Sequence, residues 1–198
     1  MGVEFWFEFA STYSYPAAMR IEALAAERGV CVVWRAFLLG PIFRDQGWSD
    51  SPFNLYPAKG RYMWRDLDRI CRAQGIPLHR PSVFPRNGLL AARVAAHFAE
   101  AAWLPAFVRA VYRANFALDL DIAEPATVAR CLAGSGEDPA SLLDAAATPE
   151  AKALLRERTE QAVGLGIFGA PSFVVDGELY WGNDRLEDAL SRAAGLTP

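Results

Sequence analysis

Phe5-Trp-Phe-Glu-Phe-Ala-Ser-Thr-Tyr-Ser-Tyr-Pro-Ala17 begins as an apolar run and ends as the start of a helix. Strands and helices repeat their apolar residues with different periods, so the change of structure falls at Ser11-x-x-Ser14. A serine at such a junction has an ordinary task, because its hydroxyl accepts a bond from an orphan amide of the first helical turn. The same place favours an anion, since a helix N-terminus carries partial positive charge. On spacing alone both readings of Ser11 stand.

The 198 residues, 53% of them hydrophobic and 22% charged, suffice for one full core. Twenty basic against 23 acidic residues give a net charge of −3 without blocks of like sign. That balance points away from nucleic acid and anionic membrane surfaces and towards a small ligand. The first residues enter a strand carrying Glu4 and Glu8, and no long apolar segment follows, so a cytoplasmic location is expected. Cys31, Cys71 and Cys131 are odd in number, far apart and never in Cys-x-x-Cys, which argues against a disulfide framework and a zinc site. With His79 and His97 as the two histidines, metal-free chemistry is expected.

Working outward, Ala17, Ile21, Leu24, Ala25 and Arg28 have helical spacing, and Gly29 ends that helix. Residues 31–37 read as a second buried strand, which makes a β-α-β unit with a parallel pair. Residues 38–56 read as an irregular segment whose Phe43, Trp48 and Phe53 cover or line a pocket. From Lys59 the pattern is helical for about a hundred residues. Residues 89–102 are expected to form the most buried helix, with His97 as a core histidine. Thr148 is expected to cap a helix with Pro149 at its first position. Strands return with Ser172-Phe-Val-Val175, the hairpin turn Asp176-Gly177 and Leu179-Tyr-Trp181. Gly182-Asn-Asp-Arg-Leu186 then opens the last helix, with Asp184 and Glu187 at capping-box spacing. A proline is most comfortable at a strand's first position, and Ala170-Pro171 is expected to be cis.

A β-α-β unit, a long helical block and a β-β-α unit make an α/β chain of thioredoxin-like architecture with a large all-helical insertion. The expected division is residues 1–45 plus 165–198 for the thioredoxin-like domain and 46–164 for the loop and helical insertion. In that architecture Ser11 and Ser14 occupy the two positions where thiol oxidoreductases carry Cys-x-x-Cys, so no disulfide forms there.

Four motifs carry a more specific resemblance: Phe9-Ala-Ser-Thr-Tyr-Ser-Tyr15, Pro57-Ala-Lys-Gly-Arg-Tyr-Met63, Phe168-Gly-Ala-Pro-Ser-Phe173 and Trp181-Gly-Asn-Asp-Arg-Leu186. In order and spacing they resemble the 2-hydroxychromene-2-carboxylate isomerases and the related kappa-class glutathione transferases. The chain departs from the family at Thr12, where a proline is usual, and at Arg44, where a lysine is common. The resemblance implies glutathione as cofactor, with Ser11 favouring its thiolate, Ala170 just before Pro171 pairing its cysteinyl backbone, and Lys59 meeting its glycyl carboxylate, Pro171 being counted among the cofactor-binding residues. Asn183 and Asp184 would hold the γ-glutamyl end, and Trp181 and Gly182 before them are counted among the cofactor-binding residues. It further implies a small aromatic carboxylate as substrate, met by Phe43, Arg44, Trp48, Phe53 and Asn54, and a homodimer. The alternatives are a kappa-like transferase that forms a stable conjugate and a non-catalytic or chaperone-like thioredoxin-fold protein in which Ser11 is only a cap; separately, Asp184 also reads as only a helix cap and Lys59 as only a solvated charge.

Overall fold

A computed structural model describes residues 2–196; residues 1, 197 and 198 of the expected thioredoxin-like domain lie outside that range. β1 (Gly2–Phe7) leads into α1 (Ser14–Glu27) and β2 (Cys31–Ala36), and the late hairpin adds β3 (Ser172–Val175) and β4 (Glu178–Trp181). The sheet order is β2-β1-β3-β4, with β1 parallel to β2 and antiparallel to β3. This is the arrangement that the β-α-β and β-β-α patterns predict.

β1 reads as nearly continuous apolar sequence because both of its faces are covered. Val3, Phe5 and Phe7 enter one apolar cluster with Val94, Phe107, Val111, Leu132 and Leu190, whereas Trp6 enters a second with Phe37, Ile42 and Val174. Phe5 stacks on Phe173 at 5.4 Å, so the central pair of strands is joined by rings as well as by its ladder.

The connecting segment is more ordered than its sequence suggests. Instead of an irregular loop it forms α2 (Leu39–Asp45) and α3 (Pro52–Leu55) before α4 (Pro57–Ala73). Ser51 caps α3 by accepting from the Phe53 amide at 3.3 Å, and Pro52 occupies a first-turn position where its missing N–H costs nothing. The carbonyl of Phe53 approaches Gly60 so closely that a Cβ there would lie 2.2 Å from it. Only glycine allows α3 and α4 to meet in this way.

α5 (Leu89–His97) is shorter than expected, because Phe98 leaves the helical region and the chain turns before α6 (Leu104–Phe116). The turn lets Phe98 pack at a tilt against Trp103 at 5.3 Å, and it leaves His97 exposed at the helix end rather than in the core. The block continues with α7 (Pro125–Leu132), α8 (Pro139–Ala147) and α9 (Pro149–Gly164), whose Thr148 cap accepts from the Ala151 amide at 3.2 Å. Asp176 and Gly177 both have positive φ in the β3–β4 turn, and the Ala170-Pro171 peptide is cis, as is Phe84-Pro85. The expected Asp184–Glu187 capping box is not formed. A single 3₁₀ turn at Asn183–Arg185 precedes α10 (Leu186–Ala193), and Glu187 is instead drawn to Arg20 on α1 at 3.1 Å.

Candidate active site

β1 stops at Phe7 and α1 starts at Ser14, so residues 8–13 form the turn at the sheet's end on which the site is built. Ser11 has two partners there. Its Oγ accepts from the Ser14 amide at 3.2 Å, which is the capping bond that the junction predicts, and donates to the Ala170 carbonyl at 2.8 Å. The second bond crosses 159 residues of sequence and joins the start of α1 to the residue before the cis proline. Thr12 beside it is buried, and its hydroxyl has no partner among the described residues.

Ser11 lies on the wall of a cleft of about 1700 Å³ that runs between the sheet's end and the helical block. This cleft is larger than the usual small-molecule site, with room for two ligands at once. It gathers Lys59, Ala170, Trp181, Gly182, Asn183 and Asp184 together with Phe43, Arg44, Trp48 and Phe53. Two residues singled out in the sequence are not on its wall. Pro171 is buried behind Ala170, and Asn54 turns away, its amide donating to Asp50 at 3.0 Å and to the Phe84 carbonyl at 3.3 Å.

The two ends of the cleft differ in chemistry. At one, Gly182 has φ +113° and the Asp184 carboxylate is exposed, with Arg185 at 3.3 Å. A Cβ at Gly182 would sit 2.5 Å from Asp184 Oδ1, so the glycine is required both by its dihedral and by this contact. Asn183 is fixed by Arg20, which donates to its side-chain oxygen at 3.0 Å. Trp181 and Phe168 meet edge to face at 4.8 Å and form an aromatic rim. At the other end Phe43 packs on Trp48 at 5.4 Å, and Tyr13 on Phe53 at 6.2 Å. The Lys59 ammonium sits over the Tyr56 ring at 4.6 Å, a contact that leaves its charge available to an anion.

Three further features of the wall were not read from the sequence. Tyr13 donates to Asp66 at 3.0 Å, and burial together with that bond pushes its phenol upward, so it remains protonated. Arg86 is buried and bonded to Asn115, Ser82 and Asp119, while Asn115 holds the Phe9 carbonyl at 3.2 Å. This chain of bonds ties the Ser11 turn to the helical block. Glu8 is the third: its Oε2 accepts from the Ala10 amide at 2.9 Å, yet burial dominates and pushes its carboxyl from 4.5 up to about 7. An acid between Phe7 and Phe9 at the end of an apolar strand is the one sequence signal that pointed to it.

Glu8 makes stability depend on pH in a definite direction. Folded Glu8 keeps its proton up to about pH 7, whereas an unfolded glutamate loses it near 4.5. Between those values the folded state binds more protons, so stability falls as pH rises. Glu8→Gln, which keeps an acceptor for the Ala10 amide, is expected to gain about 2–3 kcal/mol above roughly pH 8 and almost nothing below roughly pH 4. Denaturant midpoints at the two pH values measure this, and an equal shift at both would disprove it.

Among the described residues no helix is long and apolar enough to cross a membrane, and no cluster of three or more His, Cys, Asp or Glu side chains could hold a metal. A family model for the DSBA-like thioredoxin domain matches residues 2–194. The chain is 31% identical over 204 residues to a 2-hydroxychromene-2-carboxylate isomerase of Pseudomonas putida, which covers 97% of this chain and 95% of that one. It is also 31% identical over 202 residues to glutathione S-transferase kappa 1 of Homo sapiens, covering 93% and 87%. A solved 2-hydroxychromene-2-carboxylate isomerase, 27% identical, matches with a TM-score of 0.84 over 97% of this chain and 95% of its own.

Proposed function

We propose, from the premise that this chain belongs to the DSBA-like thioredoxin domain family and is an enzyme like the 2-hydroxychromene-2-carboxylate isomerases, that it is a glutathione-dependent isomerase. Its substrates are 2-hydroxychromene-2-carboxylate-type aromatic acids, and its product is the trans-o-hydroxybenzylidenepyruvate form. The observation that carries the reading is the Ser11 hydroxyl bonded to the Ala170 carbonyl on the wall of a cleft large enough for a tripeptide and an aromatic acid side by side.

The residues present fit glutathione. Ser11 offers an O–H to the sulfur, and a thiolate, being charged, competes well against the neutral carbonyl that this hydroxyl now meets. Once released, the Ala170 carbonyl can pair with the cysteinyl N–H as a short added strand. Gly182, Asn183 and Asp184 take the γ-glutamyl end beneath Trp181, with the Asp184 carboxylate meeting its ammonium. Lys59 takes the glycyl carboxylate. Glutathione would supply a nucleophilic thiolate that adds to the conjugated system, allows rotation about the bond made single, and leaves unchanged. The chain's part is to stabilise that thiolate at Ser11 and to hold the aromatic acid between Phe43, Trp48 and Phe53, with Arg44 facing its carboxylate.

In this reading Ser11, Ala170 and residues 181–184 of the unit 1–45 plus 165–198 hold glutathione together with Lys59 of the insertion 46–164, and Trp48 and Phe53 of the insertion hold the aromatic acid together with Phe43 and Arg44, within a cytoplasmic homodimer. The isomerase and transferase readings share every thiol contact and part at the product. Incubating the enzyme with glutathione and a hydroxychromene carboxylate, then identifying the product by NMR, is expected to give the trans isomer alone. A stable thioether would place the enzyme with the transferases instead.

A further inference from the structure

Glu8 precedes Ser11 by three residues and shares its turn, because the Ser11 amide donates to the Glu8 carbonyl at 3.0 Å. Its carboxylate is folded over the same turn by the Ala10 amide, and Glu8 is among the residues that line the same cleft as Ser11. The groups around it leave its charge uncompensated. From α6, Tyr112 faces it and donates its phenol to the Glu8 carbonyl at 2.9 Å; burial first, and the Glu8 charge second, push that phenol well up, so Tyr112 stays neutral. From the turn itself come only the Ala10 and Ser11 amides, and among the described residues no Lys, Arg or His offsets the carboxylate. A carboxylate in the same turn as an anion-favouring serine, with no cation, is poorly suited to holding the fold together.

We infer that Glu8 accepts the proton of the cofactor's thiol, keeps it while the sulfur is anionic, and returns it when the thiol is restored. The inference rests on the glutathione reading above. In the step the S–H bond breaks, the proton forms an O–H bond on the Glu8 carboxylate, and the electron pair stays on sulfur; nothing is oxidised. Charge favours this order, since a thiolate and a carboxylate in one cleft repel and only one of the pair carries the charge comfortably. Ser11 then donates to the sulfur while Glu8 holds the proton, which divides between two side chains what one hydroxyl cannot do alone. Burial, which makes Glu8 a stronger base than an exposed carboxylate, fits it to this task near neutral pH.

Calorimetry of glutathione binding at about pH 8, in two buffers of different ionisation heat and with thiolate followed by ultraviolet absorbance, counts the protons released. Wild type is expected to form thiolate while releasing close to no protons, because Glu8 takes up the one that sulfur loses. Glu8→Gln is expected either to release about one proton per thiolate formed or to form none, and to slow turnover by roughly ten-fold or more. Glu8→Asp, which restores a carboxylate, is expected to recover much of the proton uptake. Thiolate formation in wild type with a full proton released to buffer would overturn the proton role by itself, as would a Glu8→Gln pH profile identical to wild type. Failure of wild type to bind glutathione would overturn this inference together with the reading on which it rests.

Discussion

Ser11→Ala is expected to preserve the fold and to slow turnover by more than ten-fold. The serine hydroxyl serves two partners, the Ser14 amide at the start of α1 and the Ala170 carbonyl across the cleft. Losing the first is the loss of a cap, about 1 kcal/mol of stability. The Ala170 carbonyl loses a donor too, but it lies at a partly exposed wall where water replaces the bond. In the proposed turnover the partner is a thiolate, and a hydrogen bond to a charged group is worth about 1.5–3 kcal/mol. Lost from the species that reacts, this amounts to a roughly ten- to hundred-fold slower reaction. Thr12 does not replace the missing donor directly, because its hydroxyl is buried rather than presented at the wall. Denaturant midpoints and turnover measured on the same preparation separate the two effects. A fall in stability of the expected size with unchanged turnover would reduce Ser11 to a cap.

What was legible in the sequence is what short-range patterning controls. The strand-to-helix change at Ser11, the Thr148 cap and the Asp176-Gly177 hairpin each have their physical cause within a few residues, and all three form. The cis Ala170-Pro171 was legible because a proline at that point of a buried strand has few other places to be. Residues 38–56 were misread because Gly40, Pro41, Ser51 and Pro52 look like breakers, yet Ser51 and Pro52 act as a cap and a first-turn residue for a helix of one turn. The length of α5 depends on the packing of Phe98 against Trp103, and that contact exists only once α6 has turned back. Asn54 was placed in the site by its neighbours in sequence, but its amide bridges α3 to the Phe84 carbonyl 30 residues away. Glu8 was the hardest to read, since its basicity comes from burial at the meeting of the strand's end, the Ser11 turn and α6.

Removing glutathione is expected to abolish turnover of a hydroxychromene carboxylate, and returning it to restore full activity without consuming any. Interconverting cis and trans forms of a conjugated system requires the double bond to become single for a time, so a nucleophile must add and leave. The chain's own candidates are weak. Burial pushes the Cys71 and Cys131 thiols up to about 11, so each is protonated near neutral pH, and Cys31 lies on the edge strand β2; none of the three lines the cleft. Ser11 could attack directly only with its proton removed, and the group that receives its hydroxyl proton, the Ala170 carbonyl, is too weak a base to take it. His79 and His97 are likewise absent from the cleft wall. In the proposed reading, an external thiol held by Ser11, Ala170, Asp184 and Lys59 would supply what these side chains do not. The test is to dialyse the enzyme free of small thiols, follow substrate disappearance, and titrate glutathione back while assaying free thiol. Full activity before glutathione is returned would defeat the cofactor role. Loss of one thiol per substrate converted would mean that the conjugate persists, and would turn the isomerase into a transferase.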